Sequence, residues 1–353
     1  MEEILPFVER AFVSGAQYDT EFSGRPARAI GFSLDATISG SPATALDDDY
    51  YRLLGTNLEV VQAGDPIVRM NPRDWRQLSA IVSGGFDPYV GGVTGTAKQA
   101  TALLDFERLM PGSLVNAAGS KVFLRGTYGT AADLASTPPT IDAASFRPFA
   151  LASSRDPSQG FRRPKIWQAT VSLAASSNDI QFKQDIEQDL LLTGVMMRVI
   201  DASAAGRRVD GLIRRVRTEV TIGGSGSRQI TDNRWSALRL YTCHGAGYGD
   251  SDVTNSLGVA MQPLRDPRFP TAGQAFFFRA GDSITLHFDT SSTVEGAYGA
   301  VTPAAGDEVV LTFVGFSIVS GSGDAGATSE VRTVAASRVA PARNARRSRR
   351  GRR

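Results

Sequence analysis

The chain has 353 residues, a net charge of +2, 42% hydrophobic and 21% charged residues, and a single cysteine. That length exceeds the roughly 250–300 residues at which one hydrophobic core stops growing, and the composition is that of an ordinary globular protein. Lone Cys243 excludes an intrachain disulfide, and no apolar run approaches the roughly 18–20 residues of a membrane-spanning helix.

The first residues, "MEEILPFVERAFV", are acidic and unlike a secretory leader. Ile4, Leu5, Val8, Phe12 and Val13 recur at roughly helical spacing, with Pro6 placed where only a first turn tolerates it. The spacing predicts an amphipathic arm over 1–20, lying against a neighbouring subunit, a membrane surface or its own domain. Beyond it, 36 glycines and 17 prolines fall between short apolar runs, the pattern of many short strands joined by turns.

Two segments depart from that pattern. "NPRDWRQLSAIV" (71–82) has Asn71 as N-cap, Pro72 at the first helical position and Trp75, Leu78 and Ile81 at helical spacing. "DNRWSALRLY" (232–241) opens on Asp232 and Asn233 and spaces Trp235, Leu238 and Tyr241 the same way. Both tryptophans read as core anchors on short flanking helices. Toward the end of the chain, "ITLHF" (284–288) alternates as a half-buried strand does, and "EVVLTFVGFSIV" (308–319) suits a central strand.

The chain also matches itself. A shift of 160 places Glu59, Val60, Gly64, Trp75 and Leu78 on Glu219, Val220, Gly224, Trp235 and Leu238. A shift of 167 places Phe146, Phe149 and Ser153 on Phe313, Phe316 and Ser320. A shift of 170 sets Ser113, Leu114, Gly126, Tyr128 and Gly129 on Ser283, Ile284, Gly296, Tyr298 and Gly299, and one of 139 sets Leu34 and Ala36 on Leu173 and Ala175. The four blocks keep their order, so the reading is an internal duplication with an insertion within 201–219 of the second half. Each half is then a mostly β unit, and the jelly roll is the common sandwich of that size.

Catalytic signatures are thin. His244 and His287 have no histidine counterparts in the first half, which argues against paired metal sites. Cys243 beside His244 is a poor nucleophile pair, because adjacent side chains diverge. "DDD" (47–49) and "GDSD" (249–252) lack a calcium-loop pattern. No P-loop, GxSxG or HExxH occurs, and no cofactor is implied.

The tail is the sharpest electrostatic feature. From 331 to 353 there are nine arginines and no acid, so removing them from the net charge leaves −7 on the preceding 330 residues. Arginine binds phosphate through a planar fork. Arg338, Arg343, Arg346, Arg347, Arg349, Arg350, Arg352 and Arg353 are therefore the candidate contacts to phosphate in lipid headgroups or nucleic acid.

Tandem sandwich units, no catalytic constellation and an arginine-rich tail together resemble the double-jelly-roll major capsid proteins of membrane-containing icosahedral bacteriophages, the corticovirus-like group in particular. The resemblance spans roughly 20–320 and implies an all-β fold of two tandem jelly rolls with short flanking helices. Its divisions are an arm at 1–20, a first jelly roll at 21–155, a second at 156–320 and a disordered tail at 321–353. It further implies a non-enzymatic shell protein, made in the host cytoplasm and located in the virion. Such a protein forms a homotrimer of pseudo-hexagonal outline and meets neighbouring capsomers, penton or minor capsid proteins, and internal membrane lipid or genome. The alternative is a glycan-binding or glycoside-processing two-sandwich protein, such as a phage spike; a glycosidase needs two facing carboxylates, and the repeat-matched Glu59 and Glu219 fall in separate units, which makes them poor partners.

Overall fold

The computed structural model describes residues 3–22, 25–40, 47–83, 97–116, 121–134, 138–156, 158, 160–173, 177–202, 207–245, 258–264, 275–291 and 302–319. The first half contains strands β1 (Ile4–Pro6), β2 (Arg10–Ala11), β3 (Gln17–Phe22), β4 (Ala27–Ser39), β5 (Leu58–Gln62) and β6 (Asp65–Met70), then helix α1 (Pro72–Ser83). It continues through β7 (Ala97–Asp105), the short helix α2 (Phe106–Leu109), β8 (Val122–Thr127) and β9 (Thr140–Ala152). The second half contains β10 (Phe161–Ser172), β11 (Ile180–Asp185), β12 (Leu190–Asp201), β13 (Arg207–Arg208), β14 (Arg215–Ile222) and β15 (Ser225–Arg234). Helix α3 (Trp235–Gly245), β16 (Val259–Pro263), β17 (Phe276–Phe278), β18 (Ser283–Asp289) and β19 (Glu308–Val319) complete it.

The halves share one topology. In the first, β3-β8-β5-β6 faces a sheet in which β4 lies between β9 and β7, with β1 and β2 on the outer edge of β9. In the second, β11-β18-β14-β15 faces a layer in which β12 lies between β19 and the pair β16 and β17, with β10 on the outer edge of β19. The strands correspond in place, with β1 and β2 together standing for β10 and β7 for the pair β16 and β17, and α1 corresponds to α3. Strand β10 also touches β6, in parallel at Ile166 and Val68, so half of each sandwich merges into one ten-stranded sheet.

Cross-strand register fixes the correspondence residue by residue. The hairpin β5–β6 turns at Ala63 and Gly64, and β14–β15 turns at Gly223 and Gly224. All four residues have positive φ, as a tight hairpin of this kind requires. The shift of 160 therefore holds from Glu59 to Arg69, beyond which β15 carries one extra residue, and Trp75 and Trp235 sit buried on corresponding helices. The shift of 167 holds too: Phe146 and Phe149 on β9 match Phe313 and Phe316 on β19.

Other sequence matches are corrected. Val60 pairs with Leu124 and Val220 with Ile284, so Ile284 corresponds to Leu124 and not to Leu114. Leu114 instead lies between helix α2 and β8, donating its backbone N–H to the Arg162 carbonyl. Tyr298 lies outside the described residues. The shift of 139 fails because Leu34 is on β4 while Leu173 directly follows β10; the counterpart of β4 is β12. With shifts near 160 on both sides of residues 201–219, no insertion there is needed. The arm is not helical: β1 and β2 pair with β9 and Phe7 is buried, because the free edge of β9 offers backbone partners that outweigh a weak periodicity. Helix α3 starts at Trp235 rather than at Asp232, since Asp232 and Asn233 still pair across to β14.

Each sandwich has its own apolar core, the first around Phe32, Trp75 and Phe146 and the second around Leu192, Phe278 and Phe313. Met196 and Phe316 belong to the first core, although their strands β12 and β19 also wall the second. These two strands are buried on both faces, which explains their near-continuous apolar runs; β4, half-exposed on one face, alternates.

Candidate functional site at the junction of the two halves

The junction joins β6, α1 and the 111–114 turn of the first half to β10, β12 and β19 of the second. Asn71 caps α1 by accepting the Arg73 backbone N–H at 2.9 Å. One turn into the helix, the Asp74 carboxylate meets the Arg198 guanidinium of β12, with Nε–Oδ1 at 2.5 Å and Nη2–Oδ2 at 3.0 Å. Both side chains are buried, so the pair is bidentate and desolvated. Gln168 of β10 organises its surroundings, donating to Asp74 Oδ2 at 2.6 Å and Thr312 Oγ1 at 2.8 Å and accepting from the Asn71 backbone N–H at 2.7 Å. Lys165 donates to the Pro66 carbonyl at 3.2 Å, and the Arg162 backbone N–H to the Gly112 carbonyl at 2.9 Å.

This cover buries α1 on every side: Arg73 through Ala80 are at most 5% exposed. Among the described residues, helix α3 is anchored on its inner side, where it also meets α1. Asp210 accepts from Trp235 Nε1 at 2.9 Å and forms a buried ion pair with Arg239, its Oδ1 lying 2.8 Å from Nε, and Arg239 donates to the Val259 carbonyl at 3.0 Å. Its outer side, with Ser236, Ala237, Leu240 and Tyr241, is exposed.

Next to α3 lies the free edge of β15. There Asp232 pairs with Arg215; the hydrogen bond from Arg215 lowers the Asp232 carboxyl below its usual range, and the same bond raises the Arg215 guanidinium. The remaining polar groups are dispersed. Glu59 pairs with Arg69 on the ten-stranded sheet, whereas Glu219 pairs with Arg217 on the four-stranded one, so the two carboxylates do not face a common cleft. His287 is nearly buried and takes part in a surface network, Nδ1 lying 2.6 Å from Asp179 Oδ1 and 3.0 Å from Arg217 Nη2. Burial pushes the Asp179 carboxyl up, but hydrogen bonds from Gln181 and His287 outweigh it and leave it lowered.

Among the described residues, no group of three or more His, Cys, Asp or Glu side chains is placed to hold a metal ion, and no helix is long and apolar enough to cross a membrane. The side chains of Asp47, Asp48, Asp49 and His244, the segment 249–252 and all eight candidate tail arginines lie outside the described residues. The sequence reading missed the Asp74–Arg198–Gln168 network. Its members are 94 and 124 residues apart, and the one local hint was a charged residue early in an amphipathic helix.

In sequence, neither a protein-family model nor a curated protein matches the chain. In structure, the chain is similar to the STIV major capsid protein, with a TM-score of 0.59 at 12% identity over 89% of this chain and 96% of that one. It is similar to a chain of the atomic structure of the Sulfolobus turreted icosahedral virus, with a TM-score of 0.63 at 13% identity over 89% and 90%. The PBCV-1 virus capsid gives a TM-score of 0.56 at 10% identity over 90% and 94%. The fold is thus the double jelly roll seen in these viral capsid proteins.

Proposed function

We propose that this protein is the major capsid protein of an icosahedral virus, a structural and non-enzymatic component of the virion made in the host cytoplasm. One observation carries the reading: the chain matches viral capsid proteins over about nine-tenths of both partners, with the sandwich unit used twice in each. On this reading three copies close into a homotrimer of pseudo-hexagonal outline, which tiles beside neighbouring capsomers and penton or minor capsid proteins. The working division is a first jelly roll at 21–155, with strands of the 1–20 arm on its edge, a second at 156–320 and the tail at 321–353. The tail arginines Arg338, Arg343, Arg346, Arg347, Arg349, Arg350, Arg352 and Arg353 contact phosphate inside the shell, in membrane lipid or genome. A bacteriophage with an internal membrane is the setting that best uses such a tail. The test is light scattering with electron microscopy of the purified chain. Trimers of roughly hexagonal projection are expected; a monomer at all concentrations would overturn the proposal.

A further inference from the structure

The two half-units are joined once inside the chain, and each has one edge left over. The inner joint sets the β6 and α1 side of the first half against the β10 edge of the second. The counterparts of β6 and α1 are β15 and α3, and the counterpart of β10 is the β1–β2 edge. Among the described residues, α3 touches α1 of the first half on its inner side, while its outer face with Leu240 and Tyr241 and the β1–β2 edge with Ile4 and Val8 stay exposed.

We propose that these leftover edges bind each other between copies, the β15–α3 side of one chain receiving the β1–β2 edge of a second, in the arrangement of the inner joint. The proposal rests on the trimer reading and assigns its contact surfaces. A head-to-tail contact of this kind is heterologous and closes only as a ring.

Three observations support the assignment. First, the exposed large apolar side chains among the described residues are Ile4 (64%), Val8 (55%), Val13 (56%), Leu240 (63%) and Tyr241 (47%). Ile4 and Val8 lie on the β1–β2 edge, Val13 in the turn that follows β2, and the last two on α3, so four of the five fall on the two surfaces the inner joint predicts and the fifth lies beside one of them.

Second, the register carries a charge match. The inner joint aligns Ile166 with Val68. Register makes Arg228 the counterpart of Val68, since Val60 pairs with Val68 and Val220 with Arg228. Ile166 pairs with Val314, whose counterpart is Arg147, and the residue holding Arg147 is Glu9 at 3.2 Å. The aligned pair between copies is therefore Glu9 with Arg228, opposite charges on two exposed edges.

Third, the charges around the buried pair are reversed on the outer surfaces. The shift of 160 sets Arg234, at the foot of α3, in the place of Asp74, while on β4 Thr37 stands for Arg198 and Asp35 for the neighbouring Met196. Where the inner joint sets an acid on the helix side and a base on the strand side, the outer surfaces set a base and an acid. Opposite signs meet in both, which also disfavours swapping an inner surface for an outer one.

The test is a disulfide trap in the full chain with Cys243→Ser. Paired strands bring Cα atoms within the span a disulfide needs, roughly 4.4–6.8 Å. The Glu9→Cys, Arg228→Cys double variant should run, oxidised and unreduced, as covalent dimers and trimers, and either single variant as monomer. Separately, Ile4→Asp and Leu240→Asp should each weaken association at least about tenfold, as the loss of a central apolar contact does. A light-scattering trimer that yields no cross-linked species, or cross-links equally well with a single cysteine, would overturn the edge assignment and leave the trimer standing. Association unchanged by both aspartate variants would overturn it as well. A monomer in every preparation would overturn both the assignment and the capsid reading.

Discussion

Asp74 of α1 and Arg198 of β12 lie 124 residues apart in sequence and form a buried bidentate ion pair across the joint between the half-units. Removing one partner strands the other charge in a dry site, a loss of roughly 3–5 kcal/mol. Asp74→Ala and Arg198→Ala are each expected to lower unfolding free energy by that order in denaturant titrations. Replacing both together, as Asp74→Leu with Arg198→Met, should recover most of the loss. If the single variants unfold like the parent chain, the pair does not hold the joint.

The two hairpins differ at one turn position. Ala63 holds a φ of 53°, whereas its counterpart Gly223 holds 58° without a side chain to strain. An L-residue in this region costs roughly 1–2 kcal/mol, and glycine returns part of that gain through its freer unfolded chain. Ala63→Gly should therefore stabilise the protein by about 0.5–1 kcal/mol, read as a raised denaturation midpoint with an unchanged slope. A lowered midpoint would show that the Ala63 methyl contributes more than its backbone strain costs.

Tyr18 and Tyr128 pack with ring centroids 4.4 Å apart and planes tilted by 33° in the first core. Burial raises both phenols, Tyr128 to about 12 and Tyr18 further. An unfolded tyrosine ionises near pH 10, so between about pH 10 and 12 the unfolded state has released protons that the native state keeps. Stability should be flat below about pH 10 and then fall, by up to ~1.4 kcal/mol per pH unit for each such group. Tyr128→Phe should make that fall shallower. A decline equally steep in the variant would assign the alkaline loss to other groups.

Deleting residues 338–353 removes eight of the nine arginines found beyond residue 330. The truncated chain should keep its circular dichroism and its melting temperature while losing affinity for anionic vesicles or for nucleic acid. With single-stranded nucleic acid, each engaged charge contributes about −0.7 to the slope of log K against log salt. Flotation and filter binding at two salt concentrations separate the two targets. Unchanged binding in both would reduce the tail to a solubilising extension, and loss of folding would place it in the body.

Features set by neighbours along the chain could be read from the sequence alone. The match of Gly64 to Gly224, the helices carrying Trp75 and Trp235, and the match of Phe146 and Phe149 to Phe313 and Phe316 all rest on local backbone needs or bulky core anchors, which both copies retain. From these came the duplication, the all-β class and the two-unit plan. Tertiary structure alone decided the rest. Ile4 and Leu5 belong to a helical spacing, yet the edge of β9 draws them into strand pairing, because unmet backbone hydrogen bonds weigh more than a weak amphipathic pattern. Strands β4 and β12 match in place but not in sequence. The second half covers one side of α1 and closes on β12, so β12 is buried on both faces, while the equivalent face of β4 stays open within the chain. Burial rewrites the side chains and leaves the topology alone, so the joint, its ion pair and the two unfilled edges emerge only once the strands are paired.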